Sequence, residues 1–320
     1  MPGEVTREEA VLAYRMMLGR EPESEEVIAH AISAAPDVAT LGRHFAASPE
    51  FGRRHGINQH AAPRFDAPPP EIETEATPEE LARLTEHLAR YWTRMGVDAP
   101  HWSVVTQERF RPENIGANLA EFYEGGAWDG AVLDATLARI GRRAEEFAHA
   151  VDYGCGVGRI TVHLARRFAV VTGLDISAPH LELAAAAVKE GGHANVMLQR
   201  VTAADLMPVP RCDLWFSRIV LQHDPPPIAF EVLRRTFASL APRGVAVFQI
   251  PTWCEGYRFR IAEYLAWRPG AEMELHVVPQ RAVLELAHRS GLILREIRED
   301  NYITGEPGRV VSNTFVFEKI

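Results

Sequence analysis

The chain has 320 residues, 47% of them hydrophobic, which is enough for about two packed domains. Its 34 basic and 43 acidic residues give a net charge of −9, which argues against a nucleic-acid partner because such partners require a basic surface. Three scattered cysteines without a Cys-x-x-Cys pair, and no apolar run of about 18 residues, argue against a zinc site, a disulfide framework and a membrane span, so we expect a cytoplasmic protein without a bound metal.

The N-terminal segment is expected to form a small helical domain over residues 1–57. Thr6 and Glu9 form a capping-box pattern, and Gly19 marks the end of the first helix. Two further amphipathic stretches lie at about 24–34 and 38–47. The run from Tyr14 to Ser24, together with Phe45 to Phe51, resembles a small helical domain found in bacteria beside glycan-handling enzymes. The resemblance implies docking to a protein partner or self-association; a stabilising cap is the alternative.

A linker and a helical extension are predicted next. Residues 58–76 are rich in proline and acids, a composition typical of a linker. Thr77 then begins a helix as its N-cap, and Gly96 is expected to end it. Another helix is expected over about 119–140, so that residues 77–148 form a helical lid or extension.

From residue 149 onward, strands and helices alternate. Strands are predicted at 149–153, 170–175, 196–200, 212–217, 244–250, 291–298 and 311–318. Such alternation is typical of a parallel sheet covered on both faces. The first predicted strand breaks into the glycines of Val151-Asp-Tyr-Gly-Cys-Gly-Val-Gly158, and the second ends at Asp175. A dinucleotide loop would need a third glycine where Arg159 stands, which disfavours a nicotinamide-dependent oxidoreductase.

These motifs resemble those of the Rossmann-like (class I) S-adenosylmethionine-dependent methyltransferases. The similarity continues through Thr202–Leu206, Ser217–Asp224 and Ala241–Ile250, and it covers about residues 100–320. It implies an α/β fold: a seven-stranded sheet with helices on both faces and an antiparallel last strand, preceded by the small all-α domain. The catalytic domain would span 149–320, with a substrate insertion at 252–276.

The resemblance also implies S-adenosylmethionine as the cofactor and assigns its binding residues. Asp175 would bind the ribose diol, and Asp205 the adenine amine. Ile176 and Leu206 would enclose the adenine. The remaining expected cofactor contacts are Asp152, Gly154, Cys155, Gly156, Gly158, Arg159, Ser177, Ser217, Ile219, Val220, Trp102 and Tyr123. Ser177 also has the position of a helix N-cap.

Two further groups of residues concern the methyl acceptor. His223 is the candidate general base, because its side chain titrates near neutral pH; capping or packing at the next helix is the alternative. The insertion mixes aromatic and basic side chains, which suits a hydroxylated or anionic acceptor; a lid helix without acceptor contact is the competing interpretation. The expected acceptor-binding residues are Tyr257, Arg258, Arg260, Tyr264 and His276.

The function predicted from these features is methyl transfer by direct displacement. The glycan association of the N-terminal segment favours O-methylation of a hydroxyl on a sugar or polysaccharide precursor, by analogy. A small secondary metabolite is the alternative acceptor. A hypothesis from another class is a non-catalytic, cofactor-binding scaffold, although the intact glycine loop and Asp175 argue against it.

Overall fold

A computed structural model describes residues 5–55, 70–209, 211–266, 273–300 and 310–320. The chain divides into two compact units. One covers Met1–Ala67 with Ile303–Val310, and the other covers Pro68–Tyr302 with Val311–Ile320. Within the described ranges, no helix is long and apolar enough to cross a membrane.

The first unit contains the helices expected from its sequence. Helix α1, Arg7–Ala13, begins at the Thr6–Glu9 capping box and continues as a π-helical turn. Gly19 ends that turn in the left-handed conformation, with φ 60°. The following helices are α2 Glu25–Ser33, α3 Val38–Ala46 and α4 Pro49–His55. Their inward faces bury a shared core made of Val5, Ala10, Tyr14, Leu18, Ile28, Ala35, Leu41 and Phe45.

The second unit is built on a seven-stranded sheet. Its strands, in chain order, are β1 His149–Tyr153, β2 Val170–Asp175, β3 Val196–Arg200, β4 Cys212–Ser217, β5 Leu240–Cys254, β6 Leu292–Glu299 and β7 Val310–Lys319. The spatial order is β3-β2-β1-β4-β5-β7-β6. Strands β1 to β5 pair in parallel, and β7 lies antiparallel to β6. The predicted fold class, including the antiparallel last strand, is confirmed.

Helices cover both faces of this sheet. They are α5 Pro78–Asp98, α6 Pro100–Val104, α7 Ile115–Glu124, α8 Gly126–Arg139, α9 Thr161–Leu164, α10 Ala178–Glu190, α11 Pro226–Ser239, α12 Ile261–Ala266 and α13 Gln280–Arg289. One buried cluster joins α5, α11 and α13 to the sheet, and another joins α8 and α9 to it. The order of β4 beside β1 makes the carboxyl ends of these two strands the switch point, where ligands of such sheets bind.

Three local expectations need correction. Helix α5 does not end at Gly96 but continues to Asp98. Glycine at position 96 allows the helix to approach Ser177, because a Cβ there would lie 2.6 Å from Ser177 Oγ. Strand β5 begins at Leu240 rather than 244, because Arg243 adopts a left-handed φ of 62° and the pairing with β4 continues across that irregularity. The helix expected over 119–140 is divided into α7 and α8 at Gly125.

The predicted linker at 58–76 is partly structured. Residues 58–69 lie outside the described part of the chain. Ile72, in contrast, forms a parallel bridge with Phe259, and the carboxylate of Glu73 accepts a hydrogen bond of 2.6 Å from the amide of Ile261. The end of the predicted linker therefore packs against the insertion that follows β5.

Candidate active site

The glycine loop after β1 holds three glycines in the left-handed region. Gly154, Gly156 and Gly158 have φ angles of 73°, 53° and 82°. A Cβ at Gly154 would lie 2.3 Å from Val220 Cγ1, and one at Gly156 would lie 2.8 Å from Val104 Cγ2. Glycine is therefore required here both by the backbone conformation and by the close approach of the Val220 and Val104 side chains.

Several loop amides donate hydrogen bonds within the chain, and the contact of the loop with the cofactor stays a prediction. The amides of Gly154 and Cys155 donate to the carbonyl of Leu174 at 2.7 and 3.0 Å, and Gly158 N donates to Cys155 O at 2.9 Å. Cys155 is buried, and burial raises the pKa of its thiol. These hydrogen bonds fix the shape of the loop.

Asp175, at the end of β2, connects the glycine loop to the start of α10 through hydrogen bonds. Its Oδ2 accepts from Gly156 N and its Oδ1 from Ser177 N, both at 2.8 Å. Burial raises the pKa of Asp175, although His180 and these amides oppose the shift. Ser177 is fully buried and caps α10, so the helix-cap role is the one that the structure supports for it.

Asp152 lies beneath the loop. Its Oδ2 accepts a hydrogen bond of 2.6 Å from Thr161 Oγ1, at the start of α9. Burial raises the pKa of Asp152 to about 6, and the nearby charge of Asp175 adds to the shift. This carboxyl group is bonded to the first residue of the helix that follows the loop, and its contact with the cofactor stays a prediction.

Arg159 belongs to a buried charge cluster that the sequence analysis missed. Its guanidinium lies 2.5 Å from Asp129 of α8, and Arg218 contacts the other oxygen of the same carboxylate. Asp129 is 1% exposed, and the Arg218 guanidinium also lies over the ring of Trp128, 4.4 Å from its centroid. Burial lowers the pKa of Arg159. Arg159 Nε has no hydrogen-bond partner among the described residues, and its contact with the cofactor stays a prediction.

The region expected to enclose adenine is only partly assembled. Ile176 is half-buried against the main core, whereas Leu206 is completely buried within it. Asp205 is half-exposed, accepts from Met207 N at 3.1 Å and pairs with Arg235 at 3.3 Å. Asp205 therefore remains accessible, and Leu206 is a core residue.

The two aromatic residues expected above the cofactor behave differently. Tyr123 donates a hydrogen bond of 3.1 Å to the carbonyl of Val157, in the glycine loop, and burial raises the pKa of its phenol to about 12. Trp102 stacks under the guanidinium of Arg111, at 4.6 Å from the ring centroid. Tyr123 thus contacts the loop directly, and the contact shown for Trp102 is with Arg111.

The segment after β4 combines an unpartnered hydroxyl with backbone strain. Ser217 is 1% exposed, and its Oγ has no hydrogen-bond partner among the described residues. Ile219 has a φ of 56°, which is strained for a β-branched residue, and its amide donates to Gln249 Oε1 at 3.0 Å. The turn directs Val220 onto Gly154 and leaves Ile219 36% exposed. Such strain is typical of functional sites.

His223 is held on both ring nitrogens. Its Nδ1 lies 2.8 Å from the carbonyl of Glu274, and its Nε2 lies 3.2 Å from Gln222 Nε2. Because the carbonyl only accepts, Nδ1 carries the proton and Nε2 accepts from the amide. Burial lowers the pKa of His223 to about 4. These contacts favour a positioning role over the predicted role of general base.

Part of the insertion after β5 forms a connected polar cluster, which we call the insertion cluster: Tyr257, Tyr264, Glu274 and His276. Tyr257 Oη lies 2.8 Å from His276 Nδ1, and His276 Nε2 lies 2.9 Å from Glu274 Oε2. Tyr264 donates to the same oxygen at 2.7 Å. Three of the five expected acceptor-binding residues therefore meet around a carboxylate that the sequence analysis did not single out.

The two arginines of the insertion lie apart from this cluster. Arg258 pairs with Glu263 at 2.9 Å, and Arg260 pairs with Glu71 at 2.6 Å. Both guanidinium groups are at least half-exposed. Their pairing with surface acids does not support the expected contact with an acceptor.

Asp224 is a further buried acid that the sequence analysis did not assign. It is only 5% exposed. Burial raises its pKa to about 7, and the charge of Asp175 adds to the shift. In the described part of the chain, no group of three or more His, Cys, Asp or Glu side chains is arranged to hold a metal.

Comparison with known proteins agrees with this architecture. Residues 150–244 match the family model of a methyltransferase domain. No curated protein matches the chain. Among solved structures, the chain is similar to 1,6-didemethyltoxoflavin-N1-methyltransferase from Burkholderia thailandensis, at 18% identity and a TM-score of 0.50, over 80% of this chain and 97% of that one.

A second similar structure is geranyl diphosphate C-methyltransferase from Streptomyces coelicolor, at 16% identity and a TM-score of 0.49, over 74% of this chain and 98% of that one. Identities this low concern the fold alone. The family match supplies the activity that the fold leaves open. Residues 150–244 are thus the core of a methyltransferase domain, and the chain is an enzyme with the class I, S-adenosylmethionine-dependent methyltransferase fold.

Proposed function

We propose that the chain transfers a methyl group from S-adenosylmethionine to a hydroxyl of a sugar or polysaccharide precursor. The observation that carries the proposal is the insertion cluster. It is tied to the end of β4 by two hydrogen bonds, from His276 N to Gln222 O at 2.7 Å and between His223 Nδ1 and Glu274 O at 2.8 Å. The glycine loop is at the same edge of the sheet, in contact with Val220.

The residues at this edge fit the cofactor. Ser217 offers a buried hydroxyl without a partner among the described residues, and the glycines let Val220 and Val104 pack directly on the loop. Asp175 accepts one backbone hydrogen bond on each carboxylate oxygen. Since a carboxylate has about four acceptor positions, it retains capacity for both hydroxyls of a ribose diol.

When bound, S-adenosylmethionine supplies an electrophilic methyl group on a sulfonium. The residues of the chain then have two tasks, which are to fix the line of approach and to remove a proton. Rigid placement of two reactants is worth about 7–11 kcal/mol of the barrier. Val220, packed on Gly154 by the strained turn at Ile219, supports such placement because its position is determined by the backbone.

The insertion cluster suits a neutral, hydroxylated acceptor. Tyr257, Tyr264 and Glu274 are half-buried, so rings and carboxylate remain partly accessible. Aromatic surfaces with a few fixed polar groups are typical of small-molecule sites. The resemblance of the N-terminal segment to a domain found beside glycan-handling enzymes favours a sugar, by analogy.

Two measurements test the proposal in order. Calorimetric titration with S-adenosylhomocysteine, with NADH as the control, should show micromolar binding of the first ligand alone. Transfer of labelled methyl groups from S-adenosylmethionine is then followed by mass spectrometry with methyl glycosides and, in parallel, catechols. Methylated glycosides support the proposal. Methylation of catechols alone would favour a secondary metabolite, and binding without any transfer would favour a scaffold.

A further inference from the structure

Tyr257, His276 and Glu274 form a hydrogen-bonded chain with a defined direction. A carboxylate can only accept, so His276 Nε2, at 2.9 Å from Glu274, carries a proton. His276 Nδ1 is then the acceptor of the neutral ring, and Tyr257 Oη donates to it at 2.8 Å. The order hydroxyl, imidazole, carboxylate is the arrangement by which enzymes activate a weakly acidic hydroxyl.

The electrostatics of the chain suit proton uptake. Burial opposes ionisation of Glu274, but hydrogen bonds from His276 and Tyr264 outweigh it and lower the pKa of Glu274. The carboxylate is therefore charged at neutral pH, and it faces His276 Nε2 at 2.9 Å. Burial raises the pKa of Tyr257, while the amide of Val277 acts in the opposite direction, so the phenol holds its proton at rest.

His223, the base predicted from the sequence, lacks these features. Its Nδ1 faces a neutral backbone carbonyl, and its Nε2 accepts from the amide of Gln222. Burial lowers the pKa of His223 to about 4, which disfavours the charged form of the ring. His276, in contrast, has a carboxylate on one side and a hydroxyl on the other.

We infer that Tyr257, His276 and Glu274 act as a proton relay that deprotonates the acceptor hydroxyl, an inference that rests on the proposed function. The acceptor O–H bond breaks as the new O–CH3 bond forms, and that proton moves to Tyr257 Oη. The proton of Tyr257 passes to His276 Nδ1, which leaves an imidazolium paired with Glu274. The electron pair of the broken sulfur–carbon bond stays on sulfur. His276 then releases its added proton to solvent between turnovers.

The relay is tested with two kinds of acceptor. Methyl glycosides carry a hydroxyl that must lose its proton, whereas 4-nitrophenol at alkaline pH is already ionised. We expect Tyr257→Phe and Glu274→Gln to lower the rate with glycosides by about 100-fold or more, and to change the rate with the phenolate by less than about 3-fold. Tyr91→Phe, which removes a phenol of α5 outside the relay, is the matched control and should change neither rate. Equal losses with both acceptors, or no loss with glycosides, overturn the relay.

A second readout needs no acceptor, so it separates failure of the relay from failure of the proposed function. In the full chain with labelled histidine and bound S-adenosylhomocysteine, nitrogen NMR should show neutral His276 as the Nε2–H tautomer. Tyr257→Phe should shift the Nδ1 resonance without weakening S-adenosylhomocysteine binding. An Nδ1–H tautomer overturns the relay, even if glycosides are methylated. Absence of glycoside methylation together with the expected tautomer contradicts the sugar acceptor alone.

Discussion

Replacing the buried Asp224 with asparagine should stabilise the second unit, and more so at high pH. Asp224 is only 5% exposed. Burial and the charge of Asp175 raise its pKa from 3.8 to about 7. A raised pKa means that the folded chain binds more protons than the unfolded chain. The contribution of Asp224 is therefore complete below pH 3.8 and is lost as the pH rises towards 7.

The size of the effect follows from these two pKa values. Linkage between them gives a destabilisation of about 2 kcal/mol at pH 5 and about 4 kcal/mol at pH 8. Asparagine cannot ionise, so the gain in unfolding free energy of Asp224→Asn over the wild type should be about 2–3 kcal/mol larger at pH 8 than at pH 5. Subtracting the wild-type curve removes the titration of groups that both proteins share.

Urea unfolding followed by tryptophan fluorescence is the appropriate assay. All six tryptophans lie within Pro68–Tyr302, so the signal reports the second unit alone. Asp98→Asn, at the exposed end of α5, is the control and should leave the unfolding free energy nearly unchanged at every pH. A difference between Asp224→Asn and wild type that is constant with pH, or that shrinks as the pH rises, would refute the reasoning.

Three further substitutions test the site. Gly154→Ala should weaken S-adenosylhomocysteine binding about 10-fold or more in calorimetry, because the added methyl group would lie 2.3 Å from Val220. Gly141→Ala is the control, because Gly141 has a similar φ of 74° and no atom near its Cβ position. It should lower the unfolding free energy by about 1–2 kcal/mol through backbone strain and leave binding intact. Asp175→Ala should also weaken that binding about 10-fold, since it removes a charged acceptor, and unchanged affinity would contradict the ribose assignment. Asp129→Asn should lower the unfolding free energy by about 3–5 kcal/mol in urea, because two buried guanidinium groups lose their shared carboxylate; a loss below about 1 kcal/mol would contradict that pairing.

Local patterns were sufficient to predict the sheet, because strands and turns depend on neighbouring residues. The seven strands were expected within a few residues of their positions, and Asp175 was expected at the end of β2. The capping boxes at Thr6 and Thr77 were expected from spacing alone and are present. These strands and helix starts could be predicted because hydrophobic periodicity and helix capping both depend on residues only a few positions apart.

The side-chain partners within the site could not be predicted in this way. Asp129 meets Arg159 across 30 positions of sequence, and nothing in the composition of α8 signals a buried acid. Glu274 meets Tyr257 through His276 only after the chain folds back towards β4. Such pairs are set by which elements pack together, so they follow from tertiary structure rather than from local pattern.

Three acids at or after the carboxyl ends of β1, β2 and β4 have raised pKa values, which indicates that stability has been given up for function in this region. Burial raises the pKa of Asp152 to about 6 and that of Asp224 to about 7, and it raises the pKa of Asp175 as well. The charge of Asp175 contributes to both other shifts, so the three groups disfavour one another's ionisation. A core under selection for stability alone would replace them with apolar side chains. Their clustering beside a strained turn and an unpartnered hydroxyl is better explained by a bound ligand that supplies hydrogen-bond donors or positive charge.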